Sequence, residues 1–311
     1  MPKKFRHDIV HRWEENPIIA LDNLPFVSNN VYSAAAVKLE DHYLLLVTIE
    51  NLEGKTSIYP ARSKTGFHFT VDEQPFLKPE EEGKLTEFER LGVREARVTF
   101  LDGKYYIIYL GVGHHGKLLC LASTNDFKTV EKHGIISEPE IKAGALFPCK
   151  FNGRYARLDR PKMGARIWLS YSKDLLTWGE SEVVISPRNG FWDSGLVGCA
   201  FPPMEIEEGW LLAYYGIKLT STGPITRLGA AILDRENPCK VVARCNVPIL
   251  SPREDYERMG DFTNVVFSSG AVLEDNGELK IFYGAADNCL CAGTTKLSEV
   301  VDECFASKQE F

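Results

Sequence analysis

One unit recurs five times along this chain. A turn built on Asp or Gly leads into a strand of aromatic and β-branched residues, and a second strand follows and ends in a polar turn. The copies pair residues 41–50 with 56–63, 102–109 with 117–124, 152–161 with 165–172, 208–216 with 227–233, and 276–287 with 290–295. A unit of two strands cannot bury its apolar face alone, so repetition at roughly 45–70-residue spacing points to units arranged radially. The expected fold is all-β, a five-bladed β-propeller in a single domain over 1–311, with 1–30 as a lead-in segment and 296–311 as a C-terminal tail. Helix signals are thin: residues 297–304 and the acidic stretch 80–90 each suffice for a turn or two.

The 311 residues are enough for one large all-β domain. The net charge of −7 gives no basic surface for nucleic acid or an anionic membrane, and a neutral or weakly polar ligand fits better. No apolar run approaches the ~20 residues of a membrane span, and the basic start Met1-Pro-Lys-Lys lacks the apolar core of a signal peptide. The eight cysteines show no Cys-x-x-Cys and no histidines at zinc spacing. They are expected to be free, mostly buried thiols in a reducing cytoplasm. His114 and His115 sit in a Gly-rich stretch, 111–116, without a carboxylate at useful spacing. The expectation there is a flexible rim loop, with no metal and no cofactor.

Chemistry concentrates at Gly92-Val-Arg-Glu-Ala-Arg-Val-Thr99, just before the second copy of the repeat. A strand cannot bury Arg94, Glu95 and Arg97 in succession without a polar cavity, because unpaired buried charges cost several kcal/mol each. The alternative is a salt-bridge cluster on a strand edge. In a propeller the innermost strands face a central channel and ligands bind where it opens. Glu50, Glu95, Arg97, Asp159, Arg160, Asp193 and Asp287 qualify by position. Arg157, Asp159 and Arg160 read equally as an ion-pair ladder, and Tyr214 and Tyr215 as core or rim aromatics.

With those segments in hand, the chain resembles glycoside hydrolase family 130, the mannoside phosphorylases and β-mannosidases built on a five-bladed propeller. The resemblance rests on Leu146-Phe-Pro with 152–161, Phe191-Trp-Asp-Ser-Gly195 with Pro202-Pro203, and 209–216. It continues through 227–234, Asn264-Val-Val-Phe267 and Tyr283-Gly-Ala-Ala-Asp287. It implies an inverting reaction on a short β-linked mannoside, in which one carboxylic acid protonates the glycosidic oxygen by way of a sugar hydroxyl. The acid motif falls on Arg94-Glu-Ala-Arg97, so Glu95 stands where the family has aspartate and reaches about an ångström further. Arg94 and Arg97 would lower its pKa, so at least one arginine is expected to point at substrate.

The resemblance casts Asp287 and Arg160 as sugar-binding, and Arg62, Glu50, Asp159, Tyr215 and Asn264 complete the candidate substrate-binding set. Thr48, Leu196 and Tyr215 stand where the family's phosphorylases carry cations that hold phosphate. Losing that counter-charge would remove roughly 1.5–3 kcal/mol per charged hydrogen bond. Hydrolysis is therefore expected over phosphorolysis, with Asp193 first as base for the water and Glu50 and Asp287 behind it. The alternatives are a phosphorylase using inorganic phosphate as co-substrate and releasing mannose 1-phosphate, and a carbohydrate-binding propeller that has lost catalysis. The latter draws on Ser33 and Gly144, which stand where Asn and Asp are usual. The expected partner is an oligosaccharide or small glycoside, with no nucleic acid and no membrane, and the family's oligomers leave homo-oligomerisation open.

Overall fold

The computed structural model describes residues 8–306. The first seven residues of the lead-in and the last five of the tail lie outside them. Strand makes up 53% of the chain and helix 7%, so the all-β expectation holds at that level.

The strands form five antiparallel meanders. After β1 (His11–Arg12), the first meander is β2 (Asn30–Lys38), β3 (Tyr43–Glu50), β4 (Thr56–Ser63) and β5 (Thr70–Val71). The second is β6 (Gly92–Leu101), β7 (Lys104–Gly113), β8 (Gly116–Thr124) and β9 (Glu131–Ile135); the third is β10 (Ile141–Phe151), β11 (Arg154–Pro161), β12 (Ile167–Ser172) and β13 (Trp178–Ile185). The fourth comprises β14 (Leu196–Cys199), β15 (Met204–Ile206), β16 (Gly209–Thr220), β17 (Gly223–Leu233) and β18 (Val241–Arg244). The fifth holds β19 (Val266–Leu273), β20 (Glu278–Ala285) and β21 (Cys289–Lys296), and β1 adds its outer strand by pairing His11 with Thr294 and Arg12 with Gly293. By hydrogen bonding these are four sheets, none closed, because one parallel pair, Thr56 with Gly92, joins the first two meanders.

The recurring segments of the sequence are the second and third strands of each meander, β3–β4, β7–β8, β11–β12, β16–β17 and β20–β21. Their aromatic and β-branched runs and the turns with Asp or Gly before them are the strongest local signal. The first strands lie next to one another, β19 against β2, β2 against β6, β6 against β10 and β10 against β14. Except for 92–99 they carry little period-two signal, because they are buried on both faces and interrupted by bulges.

Helix is confined to α1 (Thr86–Glu89), α2 (Asp255–Arg258) and α3 (Leu297–Ala306). The tail is thus more than a turn or two: α3 runs for ten residues, burying Val300, Val301 and Cys304 against β17, β18 and β21. The lead-in is integral, since Arg12 donates to both oxygens of fully buried Glu257 at 2.8 and 2.9 Å. All eight cysteines are unbridged, six of them buried. His114 and His115 form the two-residue turn of the β7–β8 hairpin, between paired Gly113 and Gly116, and not a loose loop. No helix among the described residues is long and apolar enough to cross a membrane.

Candidate functional site

A β-bulge recurs near the start of three neighbouring first strands. In β2 the register passes from Val31↔Ile49 to Ala34↔Val47, so Tyr32 and Ser33 oppose Thr48 alone. In β6, Arg94↔Leu110 is followed by Arg97↔Ile108, and Glu95 and Ala96 oppose Tyr109. In β10, Ile141↔Pro161 is followed by Gly144↔Asp159, and Lys142 and Ala143 oppose Arg160. An extra residue leaves the ladder and re-aims its side chain. Tyr32, Ser33, Arg94, Glu95 and Lys142 accordingly line one cavity of about 390 Å³.

Residues of later strands complete it: Lys117 on β8, Arg160 on β11, Tyr215 on β16, Phe262, Phe267 on β19, and Asp287 in the β20–β21 turn. Both cavity carboxylates sit on left-handed backbone, Glu95 at φ 54° and Asp287 at φ 51°. That conformation is costly for a residue with a Cβ and persists only where the surroundings enforce it. For Glu95 the enforcement is visible. Its N–H donates to Thr48 Oγ1 at 3.1 Å, and its carbonyl accepts from Arg97 Nη1 at 3.2 Å.

Arg97 is 2% exposed and gives its other donors to the carbonyls of Ala200 (2.5 Å) and Cys199 (3.2 Å). It therefore faces away from the cavity and clamps the bulge, while Arg94 lines the cavity with its Nε buried and unpartnered by protein. Arg160 donates through Nε to the Tyr215 hydroxyl at 3.1 Å, and Tyr215 packs edge-on against Phe267. Gly198 makes that placement feasible: a Cβ there would lie 2.4 Å from the Tyr215 hydroxyl.

The cavity has an uneven charge. Arg94, Lys117, Lys142 and Arg160 face two carboxylates. Burial, then the charge of Glu95, pushes the Asp287 carboxyl up to about 6. Burial, then Arg94, pulls Lys117 below its usual range. Burial raises the Tyr215 hydroxyl, keeping it a neutral donor.

Other sequence candidates lie elsewhere. Asp193 is fully buried and does not line the cavity. Arg188 (2.9 and 3.2 Å), Arg244 (2.7 Å) and the Tyr214 hydroxyl (2.9 Å) all donate to it, holding it in a buried ion-paired cluster away from the cavity. Asp159 is held by Arg157 and Ser170 on the opposite face of β11 from Arg160. Arg62 pairs with Asp72 on the outer part of the first meander. Glu50 is one step removed, accepting from the Tyr32 hydroxyl at 2.6 Å. Asn264 contributes backbone, its carbonyl accepting from Thr226 N–H at 3.0 Å. Leu196 opens β14 beside the core, and buried Thr48 serves Glu95. The sequence reading missed Lys117 and Lys142. The first looks like any strand-end lysine, and the second is aimed inward only by its bulge. Among the described residues no group of histidine, cysteine and carboxylate side chains could hold a metal ion.

Neighbouring first strands presenting carboxylates, several cations and aromatic walls define an all-β carbohydrate-active protein. The chain belongs to glycoside hydrolase family 130: its profile, described as β-1,4-mannooligosaccharide phosphorylase, matches residues 8–305. It is an enzyme of that glycoside hydrolase and phosphorylase type. A β-1,2-mannobiose phosphorylase from Listeria innocua is 38% identical over 247 residues, 78% of this chain and 67% of the relative. A β-1,4-mannooligosaccharide phosphorylase from Ruminococcus albus is 30% identical over 95% of this chain and 90% of its own. The solved Listeria innocua β-1,2-mannobiose phosphorylase, in complex with β-1,2-mannobiose, superposes with a TM-score of 0.86 at 30% identity, covering 96% of this chain and 99% of that one.

Proposed function

We propose that this enzyme phosphorolyses a short β-linked mannoside with inversion, releasing mannose 1-phosphate. The observation that carries the reading is the charge of the cavity: four cations against two carboxylates, one of which, Asp287, titrates near 6. A surplus of positive charge suits a dianionic nucleophile held by charge-assisted hydrogen bonds. It also reverses the expectation of hydrolysis drawn from Thr48, Leu196 and Tyr215. Those positions are neutral, but Lys117 and Lys142 bring in charge from other strands. Relatives that are phosphorylases support the same direction.

In this reading Glu95 is the proton donor. Its proton passes to the glycosidic oxygen, directly or through a sugar hydroxyl. An oxygen of hydrogen phosphate attacks the anomeric carbon from the opposite face, the carbon–oxygen bond to the leaving sugar breaks, and Glu95 remains as carboxylate. Phosphate needs no base, so nothing is asked of Asp193. Arg160, its partner Tyr215, and Lys142 on the adjacent bulge form the phosphate cradle. Arg94 and Asp287 meet the hydroxyls of the mannosyl unit, and Phe262 walls the leaving sugar.

We read the five meanders as five propeller blades around this cavity, with β1 closing the ring. The unbridged cysteines suit a reducing, cytoplasmic setting. Product analysis on β-1,2- and β-1,4-mannobiose, with and without phosphate, tests the reaction. Mannose 1-phosphate formed only with phosphate is expected; free mannose in either condition would make the enzyme a hydrolase.

A further inference from the structure

A second cavity, of about 510 Å³, lies back to back with the first. Ile141 and Asp159 line it, while their chain neighbours Lys142 and Arg160 line the candidate active cavity, on the opposite faces of β10 and β11. Its floor is polar and buried. Arg157, 3% exposed, donates to Asp159 Oδ1 at 2.6 Å and to Oδ2 at 3.2 Å. Its Nη1 donates to the carbonyl of Ile136 at 2.8 Å. The Ser170 hydroxyl donates to Asp159 Oδ2 at 2.8 Å and meets the Ser181 hydroxyl at 2.9 Å.

The walls are two indoles. Arg157 stacks on Trp178 at 4.2 Å and so fixes that ring. Trp168 lines the same space, and its Nε1–H is buried without a protein partner. An orphaned donor of this kind is costly unless something accepts from it. On the acceptor side, Oδ1 of Asp159 receives one hydrogen bond where a carboxylate oxygen has room for two. The guanidinium charge is already paired with Asp159 and each of its nitrogens has a protein acceptor, and Glu138 adds negative charge at the edge. Anions are disfavoured. A ring with an apolar face and several hydroxyls, one to accept from an indole and one to donate to a carboxylate, satisfies each of these features.

We propose that this cavity is a second saccharide site, binding the neutral pyranose end of a glycan through Trp168, Trp178, Asp159 and Ser181, separately from the site of reaction. The test is a nitrogen-15 spectrum of the full chain, in which each of the five tryptophans gives one indole signal and Trp168→Phe identifies that of Trp168. Methyl α-mannopyranoside is titrated in; it has no bond to a second sugar to cleave, so the result is independent of whether the enzyme uses phosphate or water. The expected result is a saturable shift of the Trp168 signal that persists in Asp287→Ala, which removes a sugar-binding group of the active cavity, together with binding about 2–10-fold weaker in Ser181→Ala, the effect of one neutral hydrogen bond. A Trp168 signal that stays fixed up to saturation of the active cavity would overturn the proposal. So would a shift that disappears in Asp287→Ala, because the sugar would then be acting from the active cavity.

Discussion

Glu95 owes its place in the cavity to two hydrogen bonds that hold it on left-handed backbone, one from its own N–H to Thr48 and one from Arg97 to its carbonyl. If it is the proton donor, Glu95→Gln keeps shape and loses the proton. Turnover of mannobiose is expected to fall by about 10²–10⁴-fold with affinity for the sugar retained; steady-state rates and a binding isotherm on the same variant check both halves. Asp287 offers a pH test. Its carboxyl titrates at about 6 in the folded chain against an ordinary 3.8. Between those values the fold binds more protons than the unfolded chain, so this group lowers stability as pH rises from about 4 to 6. Below about 4 it is protonated in both states and costs nothing. A shift of that size corresponds to about 3 kcal/mol, and partial exposure to solvent reduces it to about 1–2 kcal/mol. Asp287→Asn is therefore expected to be more stable than the parent at pH 8 and no more stable at pH 4, as denaturant titrations at the two values will show.

At the scale of the element, the three bulges act as one device. A regular β6 would alternate Arg94, Glu95 and Arg97 between faces. With one extra residue it aims Arg94 and Glu95 into the cavity and turns Arg97 back to bind carbonyls. Thr48→Val is nearly isosteric and leaves the Glu95 N–H without its acceptor. A cost of about 1–3 kcal/mol falls on the placement of Glu95, so if Glu95 is the proton donor kcat should drop several-fold or more while KM for mannobiose changes little. An unchanged kcat would mean that the bulge is held without Thr48. Local pattern showed β3, β7, β11, β16 and β20 clearly, because a turn with Asp or Gly and a run of aromatic and β-branched residues are short-range signals. It did not show the register slips at Tyr32, Glu95 and Lys142, since a bulge depends on what the partner strand offers and leaves no mark in its own composition.

Across the whole molecule, the first and last described elements meet on the fifth meander: β1 forms its outer strand and α3 packs beside β21. Arg12 is the bolt, bonded to Glu257, which also accepts from the Tyr283 hydroxyl (3.0 Å) and the N–H groups of Arg253 (2.6 Å) and Glu254 (3.1 Å). Arg12→Leu leaves that carboxylate buried without its cation, at a cost of about 3–5 kcal/mol. Thermal unfolding several degrees below the parent, in one cooperative transition, is expected if β1 closes the structure. A separate early transition would show the fifth meander coming apart on its own.

The all-β class, the five units, the free thiols, the family motifs and the candidacy of Glu95, Arg160, Tyr215 and Asp287 were all legible in the sequence, because each rests on residue type and short-range spacing. Which charges share a cavity was decided only in three dimensions. Asp193 and Asp159 look as available as Glu95 on paper, yet Asp193 is tied up by Arg188, Tyr214 and Arg244, and Asp159 lies on the other face of β11 from the cavity, held by Arg157 and Ser170. Lys117 and Lys142 look ordinary, yet they bring to the cavity the charge that Thr48, Leu196 and Tyr215 do not supply. A sequence records which groups can ionise. Burial and partners from distant strands set which of them are free to act, and here that difference moves the reading from water to phosphate.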